Sequence, residues 1–155
     1  MDFSIRPLTE NDTDALFCLT SNPKVTQFMR FETHRFRAEA EALLEEYLKH
    51  ASFAILDQER FFGVFSFHPS KDAPGDMNLS FFLDQEYWNR GLAKRILKDR
   101  INYAKENQLA HSLSAYVVGE NIASRRSLEA CGFYVRDIKY FSDLPSGLYI
   151  YSLGL

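Results

Sequence analysis

The chemistry most legible in this chain lies where a strand gives way to a helix. Leu79-Ser80-Phe81-Phe82-Leu83 is apolar and of strand type, Asp84 and Gln85 break it, and Trp88-Asn89-Arg90-Gly91-Leu92-Ala93-Lys94 leads into a long amphipathic segment. The first backbone N–H groups of a helix have no intrahelical partner, and with the helix dipole they form a site for an anion such as a phosphate. Gly91 and Ala93 keep the approach open, and Arg90, Lys94, Arg95 and Lys98 set positive charge around the same helix end. A negatively charged guest is the natural one. The plainer alternative is a glycine near a helix start with a solvated cationic face beyond it.

The elements that hold this turn follow from composition and period. With 155 residues, 46% hydrophobic and 15% aromatic, the chain suits one domain, 1–155, with a full core. Net charge is −3 and the acids and bases are interspersed, so no basic stripe speaks for nucleic acid. Cys18 and Cys131 belong to no Cys-x-x-Cys pair, which leaves zinc and thioredoxin-type redox chemistry without support; both read as buried free thiols. His34, His50, His68 and His111 are scattered without ligand spacing, and no metal is expected. Neither a Gly-x-x-x-x-Gly-Lys-Ser/Thr loop nor a Gly-x-Ser-x-Gly elbow is present. The first residues lack a basic region followed by an apolar run, and no apolar stretch approaches the ~20 residues of a membrane span. A soluble, cytoplasmic protein is expected.

Alternation at Phe3 and Ile5 gives a first strand ending at Pro7. Thr9 with Asp12 then opens a helix whose stripe of Ala15, Leu16 and Leu19 stops before Asn22-Pro23. Val25, Phe28 and Met29 start a further helical turn, and 31–36, irregular, aromatic and charged, reads as a packed loop or as a substrate wall. The spacing of Ala40, Leu43, Leu44, Tyr47, Leu48 and Ala51 predicts a helix over 40–51. Strands at 52–56 and 61–67 join at Asp57-Gln58-Glu59, with Gly63 marking a bulge or a close approach; 69–76 is a turn-rich loop and 77–83 the fourth strand. The helix over 92–107 turns Ile96, Leu97, Ile101 and Ala104 inward. A fifth strand, 113–118, is apolar enough to lie inside the sheet, and strand, helix, strand in this order implies a parallel pair. Asn121 is placed as the N-cap of a short helix and Gly132 as its C-terminal cap. Strands at 133–141 and 148–153 close the chain.

Two motifs stand together: Trp88-Asn89-Arg90-Gly91-Leu92-Ala93 and Asn121-Ile122-Ala123-Ser124-Arg125-Arg126-Ser127-Leu128-Glu129-Ala130-Cys131-Gly132-Phe133. They resemble the GNAT superfamily of acetyl-CoA-dependent N-acetyltransferases, and within it the branch typified by the ribosomal-protein N-terminal acetyltransferases RimJ and RimL. The first is similar to the family's Q/R-x-x-G-x-G/A pyrophosphate loop, with Trp88 at its first position. The second matches the branch's N-x-x-S-x-x-x-L-E-x-x-G-F signature. Ile5-Arg6-Pro7-Leu8 and Asn22-Pro23-Lys24-Val25 also look like that branch, so the resemblance spans nearly the whole chain. It implies an α/β (α+β) fold with a mixed, mostly antiparallel sheet of about seven strands, splayed between the fourth and fifth, and about four helices. Acetyl-CoA would lie in the cleft, and the acetyl group would pass directly to a primary amine, either a protein or peptide N-terminal α-amine or a small molecule. Motif positions imply that the backbone of Phe81, Phe82 and Leu83 pairs with the pantetheine. The backbone of Asn89, Arg90, Gly91, Leu92, Ala93 and Lys94 would hold the pyrophosphate, Asn121 would lie near the thioester, and Ser124 would protonate the leaving thiolate. The resemblance is compatible with a monomer or a homodimer.

Three positions depart from the pattern. Asn89 stands where the branch often has glycine, Leu128 where many GNAT enzymes place a general-acid tyrosine, and Asn78 where the branch often has a carboxylate. Leu128 leaves Ser124 as the one motif-derived proton donor, against the plainer reading of Ser124 and Asn121 as helix-cap residues. Asn78 removes the usual base, with Glu32, Asp76, Tyr116 or a water chain as replacements, and favours a weakly basic acceptor such as an α-amine. The same two departures motivate a second expectation, a CoA-binding regulatory module that has lost turnover.

Overall fold

The computed structural model describes residues 1–71 and 73–155; Asp72, inside the turn expected over 69–76, lies outside the described residues. Seven strands, β1 (Ser4–Pro7), β2 (Ala51–Asp57), β3 (Arg60–Pro69), β4 (Asp76–Leu83), β5 (Ser112–Val118), β6 (Tyr134–Phe141) and β7 (Leu144–Gly154), are ordered β1-β2-β3-β4-β5-β7-β6. The helices are α1 (Thr13–Thr20), α2 (Pro23–Thr26), α3 (Arg37–Leu48), α4 (Leu92–Glu106) and α5 (Ile122–Ala130). The further helical turn expected at Val25, Phe28 and Met29 is α2, which lies earlier, with Pro23 at its first position and Asn22 Oδ1 accepting from the Lys24 amide at 3.0 Å. None of the described helices is long and apolar enough to cross a membrane.

The chain forms two compact units. The first comprises Met1–Phe67 and Ser80–Trp88. Its core is built from Leu8, Leu16, Leu19, Leu44, Tyr47 and Phe82, among others. The Thr9 to Asp12 signal caps a short 3-10 turn, Glu10–Asp12, before α1 begins. Asp12 accepts from the Thr9 amide at 2.8 Å and takes both Arg6 guanidinium nitrogens at 2.8 and 2.9 Å. Helix α3 starts three residues before the expected 40 because Glu39 Oε1 accepts the Arg35 and Phe36 amides, at 2.9 and 3.0 Å. It ends at Leu48, and Ala51, which the helical spacing had included, pairs with Phe67 in the β2–β3 hairpin. Both readings of Gly63 hold. The register shifts between Ile55 and Leu56, leaving Phe62 as the extra residue of a bulge, and a Cβ at Gly63 would lie 2.6 Å from Leu83 Cδ2 and 3.0 Å from the Phe82 carbonyl oxygen.

The second unit comprises His68–Leu79 and Asn89–Leu155. Ile96, Leu97, Ile101 and Ala104 of α4 are buried as the period requires, together with Leu113, Leu128 and Tyr151. β5 lies between β4 and β7, the interior place its apolar sequence indicates. Its parallel register with β4 runs from Asp76/Ser112 to Asn78/Ser114, whereas its antiparallel register with β7 covers its whole length. The last registered pair at Asn78 marks where the fourth and fifth strands part. β7 begins at Leu144 rather than 148, because Ser142 and Asp143 alone make the hairpin turn. Cys18 is exposed and Cys131 half-buried, which corrects the reading of both as buried thiols. Cys18 lies within α1 and Cys131 is the C-cap residue of α5, placements that composition does not reveal.

Candidate functional site

Helix α4 begins bare. Gly91 occupies its N-cap position with φ +71°, no side chain caps the first turn, and the first turn holds no acid. The leading backbone N–H groups therefore point out of the helix end with Lys94 and Arg95, both exposed, on the first turn. Asn89 is also left-handed, with φ +60°. That conformation explains why glycine suits the position, and asparagine is among the few side-chain-bearing residues that enter it readily. A Cβ on Gly91 would meet nothing within 4 Å, so its backbone is open to approach. Asn89, Arg90 and Gly91 are exposed, and Leu92 is buried as the anchor of the turn.

The second motif lies in the same unit. Asn121 caps α5, its Oδ1 accepting from the Ser124 amide at 3.3 Å. The Ser124 hydroxyl takes no part in that cap and has no hydrogen-bond partner among the described residues; Ser124 is half-buried. Leu128 is fully buried. Gly132, at φ +94°, follows the helix end, and the Phe133 amide returns to the Leu128 carbonyl at 3.1 Å. Cys131 Sγ lies 3.7 Å from the Lys94 carbonyl oxygen, which brings the end of α5 to the first turn of α4. Burial pushes this thiol up, against the pull of Lys98 and Lys94.

Arg125 and Gly119 fix the start of α5; the sequence marks Gly119 only as part of the turn into the helix and gives Arg125 no role. Arg125 donates from Nε to the Tyr151 hydroxyl and from Nη1 to the Gly119 carbonyl, each at 3.2 Å, and its guanidinium lies 3.9 Å over the Tyr149 ring. The Tyr151 bond holds the Arg125 pKa above its ordinary value. A Cβ at Gly119 would fall 2.3 Å from the Ser146 carbonyl oxygen. The turn that carries Asn121 is thus pressed onto β7. Arg125 fills an unspecified position of the motif, and a close approach across strands leaves no local sequence signal.

The three strand residues belong to the first unit. Phe81 is half-buried, and Phe82 and Leu83 are buried. The Phe82 carbonyl faces Gly63 of β3, so by strand alternation the Phe81 and Leu83 backbone groups point away from β3. The Leu83 carbonyl is engaged, accepting from the Trp88 indole at 3.0 Å. Arg60 bridges Asp84 and Glu86 at 3.2 and 2.8 Å, and Tyr87 stacks on Phe62 while donating to Asp57 at 2.8 Å, so the turn after β4 is tied down on both sides. Phe31 meets Phe82 edge-on at 6.1 Å, and His34 is buried with Nδ1 2.8 Å from Thr20 Oγ1. Burial holds the His34 pKa below its ordinary value. Within 31–36, Phe31 and His34 pack inward and Phe31 borders β4, whereas Glu32, Arg35 and Phe36 are exposed.

Among the replacement bases, Glu32 is exposed, and Asp76 is buried with its oxygens accepting the Ser112 and Ser114 hydroxyls, both at 2.6 Å. Asn78 Nδ2 donates to Ser114 Oγ at 3.1 Å. No group of three or more histidine, cysteine or acidic side chains that could hold a metal occurs among the described residues.

A family model described as an acetyltransferase (GNAT) domain matches residues 2–134, and the chain belongs to that family. A relative, the uncharacterized N-acetyltransferase YoaA of Bacillus subtilis strain 168, is 23% identical over 96% of this chain and 91% of its own. Of solved structures, RimL, a ribosomal L7/L12 α-N-protein acetyltransferase in complex with coenzyme A, superposes with TM-score 0.86 at 14% identity over 99% of this chain and 94% of its own. The spermidine N-acetyltransferase of Vibrio cholerae in complex with CoA and spermine gives 0.84 at 16% identity over 98% and 95%. At these identities the structural likeness establishes the fold, a GNAT fold with a mixed sheet.

Proposed function

We propose that this protein moves an acetyl group from acetyl-CoA directly to a primary amine, and that residues 1–155 act as one acetyltransferase domain of the RimJ/RimL-like kind. The matched stretch, 2–134, draws on both compact units and supports the single-domain reading. The observation that carries the activity is the bare start of α4, reached through left-handed Asn89 and Gly91, in a chain of this family. Backbone N–H groups of residues 89–94 would hold the pyrophosphate, with Arg90 and Lys94 adding charge. The Phe81 amide and carbonyl and the Leu83 amide would pair with the pantetheine, since the Leu83 carbonyl already serves Trp88.

Transfer requires a neutral amine at the thioester carbonyl and a proton for the departing sulfur. Ser124 supplies that proton, its hydroxyl being uncommitted to the helix cap, and Asn121 fixes the turn beside it. The acceptor is an N-terminal α-amine or a small-molecule amine, classes represented by the structural neighbours RimL and spermidine N-acetyltransferase. Calorimetry with acetyl-CoA and a free-thiol assay over peptides, spermidine and lysine derivatives test this. Saturable binding with amine-dependent thiol release is expected. Binding with no release from any amine would leave a CoA-binding module in place of an enzyme, and no binding would remove both.

A further inference from the structure

Four side chains on one face of β4 and β5 form a hydrogen-bond chain whose direction is set at its buried end. Asp76 as a carboxylate can only accept, so Ser112 and Ser114 both donate to it, at 2.6 Å each. Ser114 is 2% exposed, and its single hydroxyl hydrogen is spent on Asp76. Toward Asn78, 3.1 Å away, Ser114 Oγ can therefore only accept, and the atom of Asn78 that meets it has to be Nδ2. The amide is locked in one of its two orientations. Its carbonyl oxygen, Oδ1, is turned away from Ser114 and has no hydrogen-bond partner among the described residues, while the residue stays half-buried at the last registered pair of β4 with β5.

The same chain accounts for the missing carboxylate. A carboxylate at position 78 would set an acceptor against an acceptor at Ser114 and add a second negative charge beside buried Asp76. Asparagine is the side chain of that shape that can donate inward and still offer an acceptor outward. Beyond Asn78, toward their carboxyl ends, β4 and β5 are no longer registered, and a crevice at the carboxyl ends of parallel strands is where ligands of open sheets bind; a fixed acceptor at the start of that parting suits a ligand N–H.

We propose that Asn78 Oδ1 accepts a hydrogen bond from the amine that receives the acetyl group, with Ser114 and Asp76 as positioning residues that hold the amide in register. The inference rests on the acetyltransferase reading above. In the step it serves, the amine nitrogen bonds to the thioester carbonyl carbon, the carbon–sulfur bond breaks, one amine hydrogen leaves as a proton, and the sulfur gains one. Asn78 stays neutral throughout and takes no proton. It orients the nitrogen lone pair by holding one N–H, so the acceptor must carry at least two hydrogens when neutral: one held and one lost.

The test uses the whole chain with two probes, a tripeptide bearing a free α-amine and spermidine. Asn78→Ala should raise the KM of whichever probe is acetylated by about tenfold or more, the loss of one oriented hydrogen bond, and leave acetyl-CoA affinity by calorimetry unchanged. Ser114→Ala should raise KM in the same direction but less, because the freed amide can still turn to the productive orientation. The double variant should be no worse than Asn78→Ala alone, as for residues that act through one another. Asn78→Ser, small and polar, serves if the alanine variant folds poorly. An active wild-type protein whose Asn78 variants keep the amine KM, with or without a lower melting temperature, would overturn the assignment alone. A wild-type protein that releases no thiol from either probe or any other amine would overturn the acetyltransferase reading, and this inference with it.

Discussion

Ser124 and Asn121 sit three residues apart and do different things. The Ser124 amide, not its hydroxyl, enters the α5 cap, and the acceptor is Asn121 Oδ1. Ser124→Ala should therefore leave the melting temperature unchanged while lowering turnover by at least ~100-fold where chemistry limits the rate, the usual scale of a general acid. Asn121→Ala should destabilise the fold by about 1 kcal/mol, the ordinary value of an N-cap. Melting curves and single-turnover kinetics on both variants separate the roles, and normal kinetics for Ser124→Ala would remove that serine from the mechanism. Gly91 is a second residue-scale case. Open space surrounds it, but its φ of +71° makes any β-branched side chain strained. Gly91→Val should weaken acetyl-CoA by at least tenfold, about 1.4 kcal/mol. Gly91→Asn, which tolerates the conformation, separates backbone strain from crowding of the pyrophosphate. Full affinity in both variants would place the donor elsewhere.

At the scale of elements, α5 is useful only if its first turn is held still, and Arg125 holds it to Gly119, Tyr151 and the Tyr149 face at once. Lysine keeps the charge but loses the planar fork and the stacking. Arg125→Lys should lower turnover several-fold with acetyl-CoA affinity nearly intact, because it loosens the turn bearing Asn121 and Ser124 without touching the α4 terminus. Unaltered turnover in a folded variant would show that the first turn keeps its place without this clamp. Periodicity made most of these elements readable: the buried stripe of α4, the interior strand β5 and the cap of α5 all follow from local pattern. What escaped was set by partners distant in sequence. The start of α3 depends on Glu39 reaching back to two amides, and the early start of β7 on its pairing with β6. Gly119 is required by a carbonyl 27 residues further along, at Ser146. The direction of the Asn78 amide is decided by a carboxylate two residues before it acting through a serine of another strand.

For the molecule as a whole, the question is which amine it serves, and the acid–base inventory bears on it. Asp76 is bound by two serine hydroxyls, Asn78 is neutral and Glu32 is exposed, so the carboxylates considered as bases are engaged, replaced or solvated. A lysine side chain with pKa ~10.4 must surrender about 4 kcal/mol of protonation preference near neutral pH, whereas an α-amine at ~7.7 to 8 surrenders only about 1. If solvent supplies the neutral form, with Tyr116 taking no proton, the protein should acetylate a peptide α-amine with a kcat/KM at least about tenfold above that for the same peptide presenting only a lysine side chain at pH 7. The sign of the pH dependence follows. The α-amine rate should level off above ~8, where that amine is already neutral, while the lysine rate keeps rising toward ~10, so the ratio narrows as pH increases. Measuring both peptides across this range by thiol release checks the argument. A lysine preference at pH 7, or a ratio independent of pH, would mean that a group of this protein removes the ammonium proton itself.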